Sequence, residues 1–153
     1  MARGTRDILA VFAAALLASA AVPGCARVGD DSRGGQLALE PPTAQSVGVC
    51  WVIHGDANRN ATVGLMYRKK GAPVWDRARD LTRLEGGAPE AVSPLPGGSW
   101  VFTGSVSGLE EDTGYELRLA LADPDGGKDV QVLRARTLKA PPPPGAGGVP
   151  PVP

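Results

Sequence analysis

The stretch "GLEEDTGYELRLALADPDGG", residues 108–127, decides the fold. In its second half Tyr115, Leu117, Leu119 and Leu121 recur at every second position, with Glu116, Arg118 and Ala120 between them. A period of two lines up apolar side chains on one face of an extended strand, whereas a helix needs a period of 3.6. Asp123, Pro124, Asp125, Gly126 and Gly127 then supply residues that suit a turn. The stretch reads as a strand half-buried against a core, followed by a sharp reversal.

The same alternation returns on both sides. In "SVGVCWVIH" the residues Val47, Val49, Trp51 and Ile53 share one face, and in "ATVGLMYRKK" Val63, Leu65 and Tyr67 do so, with Arg68, Lys69 and Lys70 running out to solvent. "QLALEPP" opens the series, and Pro41-Pro42 confines it to a sheet edge because proline cannot donate to a ladder. "SWVFTGSVSGL" supplies a further strand, and "KDVQVLRARTL" closes the sheet with Val130 and Val132. "PVWDRARDLTRL" is ambiguous: Trp75, Arg77 and Arg79 share a strand face, while Leu81 and Leu84 fit helical spacing. Seven short segments between residues 36 and 139, separated by turn residues, predict an all-β fold. The expected architecture is a seven-stranded antiparallel Greek-key β-sandwich. Trp51 is expected in its core with Val49, Leu65, Tyr67, Leu117 and Leu119.

The ends have a different composition. Arg3 and Arg6 precede an uncharged run at residues 8–22, "ILAVFAAALLASAAV", which is short for a membrane span of about 20 residues and suits a signal peptide. Val22-Pro-Gly-Cys25 resembles a bacterial lipobox, with proline in place of the usual small residue at −2. The expectation is a signal peptide over residues 1–24 and acylation of Cys25. Ala18-Ser19-Ala20 would serve an ordinary signal peptidase, and secretion is the alternative. Residues 25–35, small and Gly-rich, read as a flexible, disordered tether. Seven of the fifteen prolines fall in residues 140–153, "APPPPGAGGVPPVP", which reads as an extended tail or linker. If Cys25 carries lipid, Cys50 stands alone and reads as a half-buried small hydrophobe.

Sixteen basic and sixteen acidic side chains cancel, so no global field draws the chain to nucleic acid, and none is expected as a partner. His54 is the single histidine, which argues against a Cys–His nucleophile or a histidine-based zinc site. Asp56, Asn58, Asn60 and Thr62 have the oxygen spacing of a calcium loop. However, Ala61 stands where its glycine belongs and Tyr67 where its bidentate glutamate belongs. The stretch reads as a polar loop, and neither metal nor cofactor is expected. Glu110, Glu111 and Asp112 read as a solvated turn, and no catalytic residue is assigned. Trp75 and Trp100, in less regular segments, are candidate carbohydrate contacts if their faces are open.

Trp51 in the second strand, Tyr67 at the exit of the third, and Leu109 six residues before Tyr115 together resemble the fibronectin type III module. Glu111 stands where that family's corner usually has proline. The resemblance implies that Leu109 plugs the bottom of the sandwich and that the Tyr115 hydroxyl ties down the preceding turn. The longer run from Gly55 to Thr137 is similar to the module that precedes right-handed parallel β-helix domains in bacterial envelope proteins, often pectate-lyase-like or chondroitinase-like. This chain holds no β-helix coil, so no such activity carries over.

The function these features imply is a non-catalytic, lipid-anchored envelope module that acts as a spacer or as an adhesion and interaction domain. Its partners would be the membrane, through Cys25, and a cell-surface polysaccharide or protein. The alternatives are a carbohydrate-binding module, or the N-terminal piece of a β-helix polysaccharide lyase.

Overall fold

The computed structural model describes residues 29–85 and 89–142. Residues 1–28, where the expected signal peptide and Cys25 fall, lie outside them, as do residues 86–88 and 143–153. Among the described residues the chain forms β1 (Arg33–Leu39), β2 (Ser46–His54), β3 (Thr62–Lys69), β4 (Asp76–Arg77), β5 (Thr82–Leu84), β6 (Ser99–Ser107), β7 (Gly114–Ala122) and β8 (Lys128–Arg136). One turn of 3-10 helix spans Glu90–Val92. The strands pair antiparallel in two four-stranded sheets, ordered β1-β2-β6-β5 and β4-β3-β7-β8. The protein is all-β, a sandwich of two sheets.

The alternation read from the sequence sets which faces meet. Val47, Val49, Trp51 and Ile53 of β2 join Phe102 and Val106 of β6 on one side of the core. Val63 and Leu65 of β3, with Tyr115, Leu117, Leu119 and Leu121 of β7, close it from the other. Trp51, Val49, Leu65 and Leu119 are wholly buried and Leu117 nearly so, while Tyr67 packs half-buried at the margin.

Four features depart from the sequence reading. First, there are eight strands where seven were predicted. The ambiguous segment divides into β4, paired with β3, and β5, paired with β6, so the chain changes sheet between them. Leu81 enters the inter-sheet core and Leu84 a separate cluster. Their odd spacing sends them to opposite faces of extended chain, which disposes of the helical alternative.

Second, β1 starts at Arg33, inside the segment predicted as tether. Gly34 and Gly35 signalled flexibility, but Gly34 is required by close approach. A Cβ there would lie 2.7 Å from the buried Trp51 ring and would also press on the Asp129 carboxylate. Third, Val130 and Val132 of β8 point outward, about half exposed, and Leu133 and Ala135 face the core instead.

Fourth, β2 is buried on both faces. Cys50 and Val52 on its outer side pack with Val101 beneath Val92, and with Ala38, Leu84 and Leu95, so the short helical turn adds a small third layer. Cys50 is therefore fully buried, more so than its reading as half-buried.

Entry and exit lie at opposite ends of the sandwich. Arg33 sits beside His54, and the Ser32 amide donates to the Gly126 carbonyl in the β7–β8 turn (2.8 Å). Arg136 sits beside Gly114 at the far end of the same hairpin, and the Leu138 amide donates to Thr43 (2.9 Å). The nine residues of β8 cover about 30 Å at the usual rise per residue.

Candidate functional site

The polar loop between β2 and β3 is organised by Asp56. This residue has φ 58, a left-handed conformation that aspartate tolerates better than most residues. Its side chain is fully buried. Oδ1 accepts hydrogen bonds from the amides of Asn60 (2.8 Å) and Ala61 (3.1 Å), and the other oxygen pairs with the Arg83 guanidinium from β5. Both oxygens that a cation would need are thus engaged in holding the loop and fastening it to β5.

Asn58 and Asn60 reach across to the β7–β8 turn, and each donates to Asp125 Oδ2, Asn58 at 2.7 Å. Hydrogen bonds from Asn58 first and Asn60 second hold the Asp125 carboxyl below the usual aspartate range, against a smaller opposing effect of burial. Asp123 Oδ1 accepts from the Asp125 amide (2.9 Å), the short-range bond typical of an aspartate turn. The two stretches read separately as polar turns are one interlocked loop pair at the entry end.

The candidate tryptophans are not brought together. Trp100 lies on β6, next to Ile53 at the entry end, half-buried. Arg59 lies over its ring at 4.4 Å from the centroid, and Arg83 at 5.1 Å. Trp75 precedes β4 at the other end, with the Arg68 guanidinium 4.3 Å from its centroid. Cation–π pairs of this kind occupy the flat surface a sugar would stack on. Two separated, arginine-covered indoles form no shared platform.

At the exit end Leu109 is buried, and Tyr115 Oη accepts a hydrogen bond from the Glu110 amide at 3.0 Å. Tyr67 lies against Tyr115 with centroids 6.5 Å apart and a 49° tilt. The acidic run is dispersed rather than convergent: Glu110 pairs with Lys69, Asp112 with Arg136, and Glu111 accepts from the Ala140 amide. The Arg136 hydrogen bond, reinforced by its charge, holds the Asp112 carboxyl low, and the Glu110 hydrogen bond raises Lys69.

Sequence reading missed the charge row across the outer face of the β4-β3-β7-β8 sheet. Arg68, Glu116 and Arg134 are direct cross-strand neighbours. Glu116 accepts from Arg68 Nε at 2.8 Å and from Arg134 at 3.4 Å. The register that brings three strands into one row is a tertiary property, although each residue's outward parity was readable. Beside the row, a recess of about 210 Å³ lies over Gly64, Met66 and Ala120, rimmed by Arg77, Asp80 and Arg118.

Neither a protein-family model nor a curated protein sequence matches the chain. Solved structures resemble it at the level of architecture. Astrotactin-2, described as a vertebrate-specific, perforin-like membrane protein involved in neuronal development, aligns over 70% of this chain and 22% of its own. Identity is 17% and the TM-score 0.50. The purple acid phosphatase PPD1 of yellow lupin aligns over 69% of this chain and 19% of its own, at 18% identity and TM-score 0.48. A computationally redesigned β-sandwich protein aligns over 70% of this chain and 95% of its own, at 15% identity and TM-score 0.46. The chain spans about a fifth of astrotactin-2, and the likeness at that identity is one of fold: a β-sandwich.

Proposed function

We propose that this chain is a non-catalytic module of the fibronectin type III kind, a Greek-key sandwich attached to the extracytoplasmic side of the cell envelope through lipid on Cys25. It works as a spacer and interaction domain. The observation that carries the spacer reading is the position of entry and exit, at opposite ends of strands about 30 Å long. A module so connected adds its full length between whatever precedes it and whatever follows. The Tyr115 to Glu110 hydrogen bond and the buried Leu109 support the family assignment, since both are what the resemblance implies for that corner.

Attachment is tested on the full chain produced in a bacterium that processes lipoproteins. The native protein should fractionate with membranes and carry a diacylglyceryl group on Cys25 by mass spectrometry, and Cys25→Ala should release it. A soluble native product beginning at Ala21 would overturn the anchor in favour of secretion.

A further inference from the structure

Strand β8 ends the order of its sheet, and among the described residues nothing pairs with its outer edge. At nine residues it is long for an unprotected edge, and such an edge is a ready template for another strand. Its outward side chains are Lys128, Val130, Val132, Arg134 and Arg136, with the two valines 50% and 52% exposed. Arg118 of β7 lies directly beside Val132. No ion pair among the described residues involves Arg118 or Lys128. Arg134 and Arg136 are paired but remain 77% and 64% exposed. A chain of net charge zero therefore concentrates cations and apolar surface along one open edge.

The sign of that charge selects the occupant. Antiparallel pairing of β8 with a second copy about Val132 would set Lys128 against Arg136 twice, and directly opposed like charges destabilise a sheet. An extended acidic peptide meets the opposite condition. Carboxylates would stand across from Lys128, Arg134 and Arg136, and β-branched side chains across from Val130 and Val132, while the free backbone edge supplies the ladder. We infer that β8 binds an extended acidic segment of a partner protein by strand addition. This gives the interaction module a partner class. Its failure would leave the envelope attachment, tested separately through Cys25, unaffected.

The test uses the mature chain and the peptide Glu-Thr-Glu-Thr-Val-Thr-Val-Thr-Glu, whose outward positions complement β8, with a control carrying lysine for each glutamate. Saturable binding of the acidic peptide is expected, with slowed amide exchange along β8. The lysine peptide should bind at least tenfold more weakly. The Lys128→Glu/Arg136→Glu variant, which leaves the Arg134–Glu116 pair intact, should reverse that preference. Absence of binding at millimolar peptide would overturn the inference, as would binding indifferent to charge reversal or protection away from β8. Equal binding of dextran sulfate that is lost on Arg118→Ala rather than on the β8 variant would also overturn it, in favour of a general polyanion face. The exchange footprint on the unaltered chain decides the matter even if the variant does not fold.

Discussion

Asp56 and Arg83 form an ion pair inside the sandwich, with the Asp56 side chain at 0% exposure and that of Arg83 at 11%. The pair joins the β2–β3 loop to β5, the edge strand of the sheet that contains β2, and the Arg83 guanidinium also lies over Phe102, 4.6 Å from its centroid. Breaking a buried pair strands a charge, which costs about 3–5 kcal/mol. Asp56→Ala should lose about that much in denaturant titration, plus two loop hydrogen bonds. A loss below about 1 kcal/mol would mean that water replaces the carboxylate at little cost.

Because Asp56 offers no free oxygen pair, millimolar calcium should leave the melting temperature unchanged. A calcium-dependent rise abolished by Asp56→Ala would show that the loop rearranges to bind the ion.

Trp51 is fully buried, and its Nε1 has no hydrogen-bond partner among the described residues. Trp51→Ala should therefore cost about 3–5 kcal/mol through the cavity it opens. Trp51→Phe should cost markedly less, since it keeps an aromatic ring and removes no hydrogen bond. Equal losses for the two would show that the indole nitrogen is satisfied in solution.

The Glu116 carboxyl is held below the usual glutamate value of 4.5, chiefly by its hydrogen bond to Arg68 and secondarily by Arg134, with burial opposing. A carboxyl depressed in the folded state stabilises the protein above its unfolded value and loses that contribution as pH falls through the folded one. Stability should therefore decline as pH drops below about 4.5, and Glu116→Gln should make that decline shallower. An unchanged acid slope in the variant would show that other carboxylates carry it.

Burial pushes the Cys50 thiol above its ordinary value, and Glu40 adds to the effect. In a chain carrying Cys25→Ser, a thiol reagent should label Cys50 only after unfolding, because the thiolate is the reactive form. Val92→Ala, which thins the cover over it, should speed labelling. Rapid labelling of the parent chain would mean that the third layer opens freely.

The alternation at Val47–Ile53, Val63–Tyr67 and Tyr115–Leu121 made the two sheets and most of the core readable, since each inward residue is fixed by parity alone. In β8 parity also held the answer. Val130 and Val132 share their phase with Arg134 and Arg136, so hydrophobicity pointed one way and register the other, and register won. The cover formed by Val92 and Leu95 carried no periodic signal, because it is irregular chain lying on a sheet. Arg83 and Asp56 are distant in sequence and meet only through the sheet-to-sheet crossing, so the loop looked self-sufficient when read locally. Trp75 and Trp100 were legible as aromatic residues, but the arginines that cover them come from other segments.

The opposed entry and exit also fix how the domain would carry mechanical load. Tension along the chain draws β1 and β8 in opposite directions, each parallel to its own axis. The bonds to β2 and β7 run perpendicular to the strands, so the pull shears whole ladders together instead of peeling them one bond at a time. The nine paired positions between β7 and β8 would have to yield as a set.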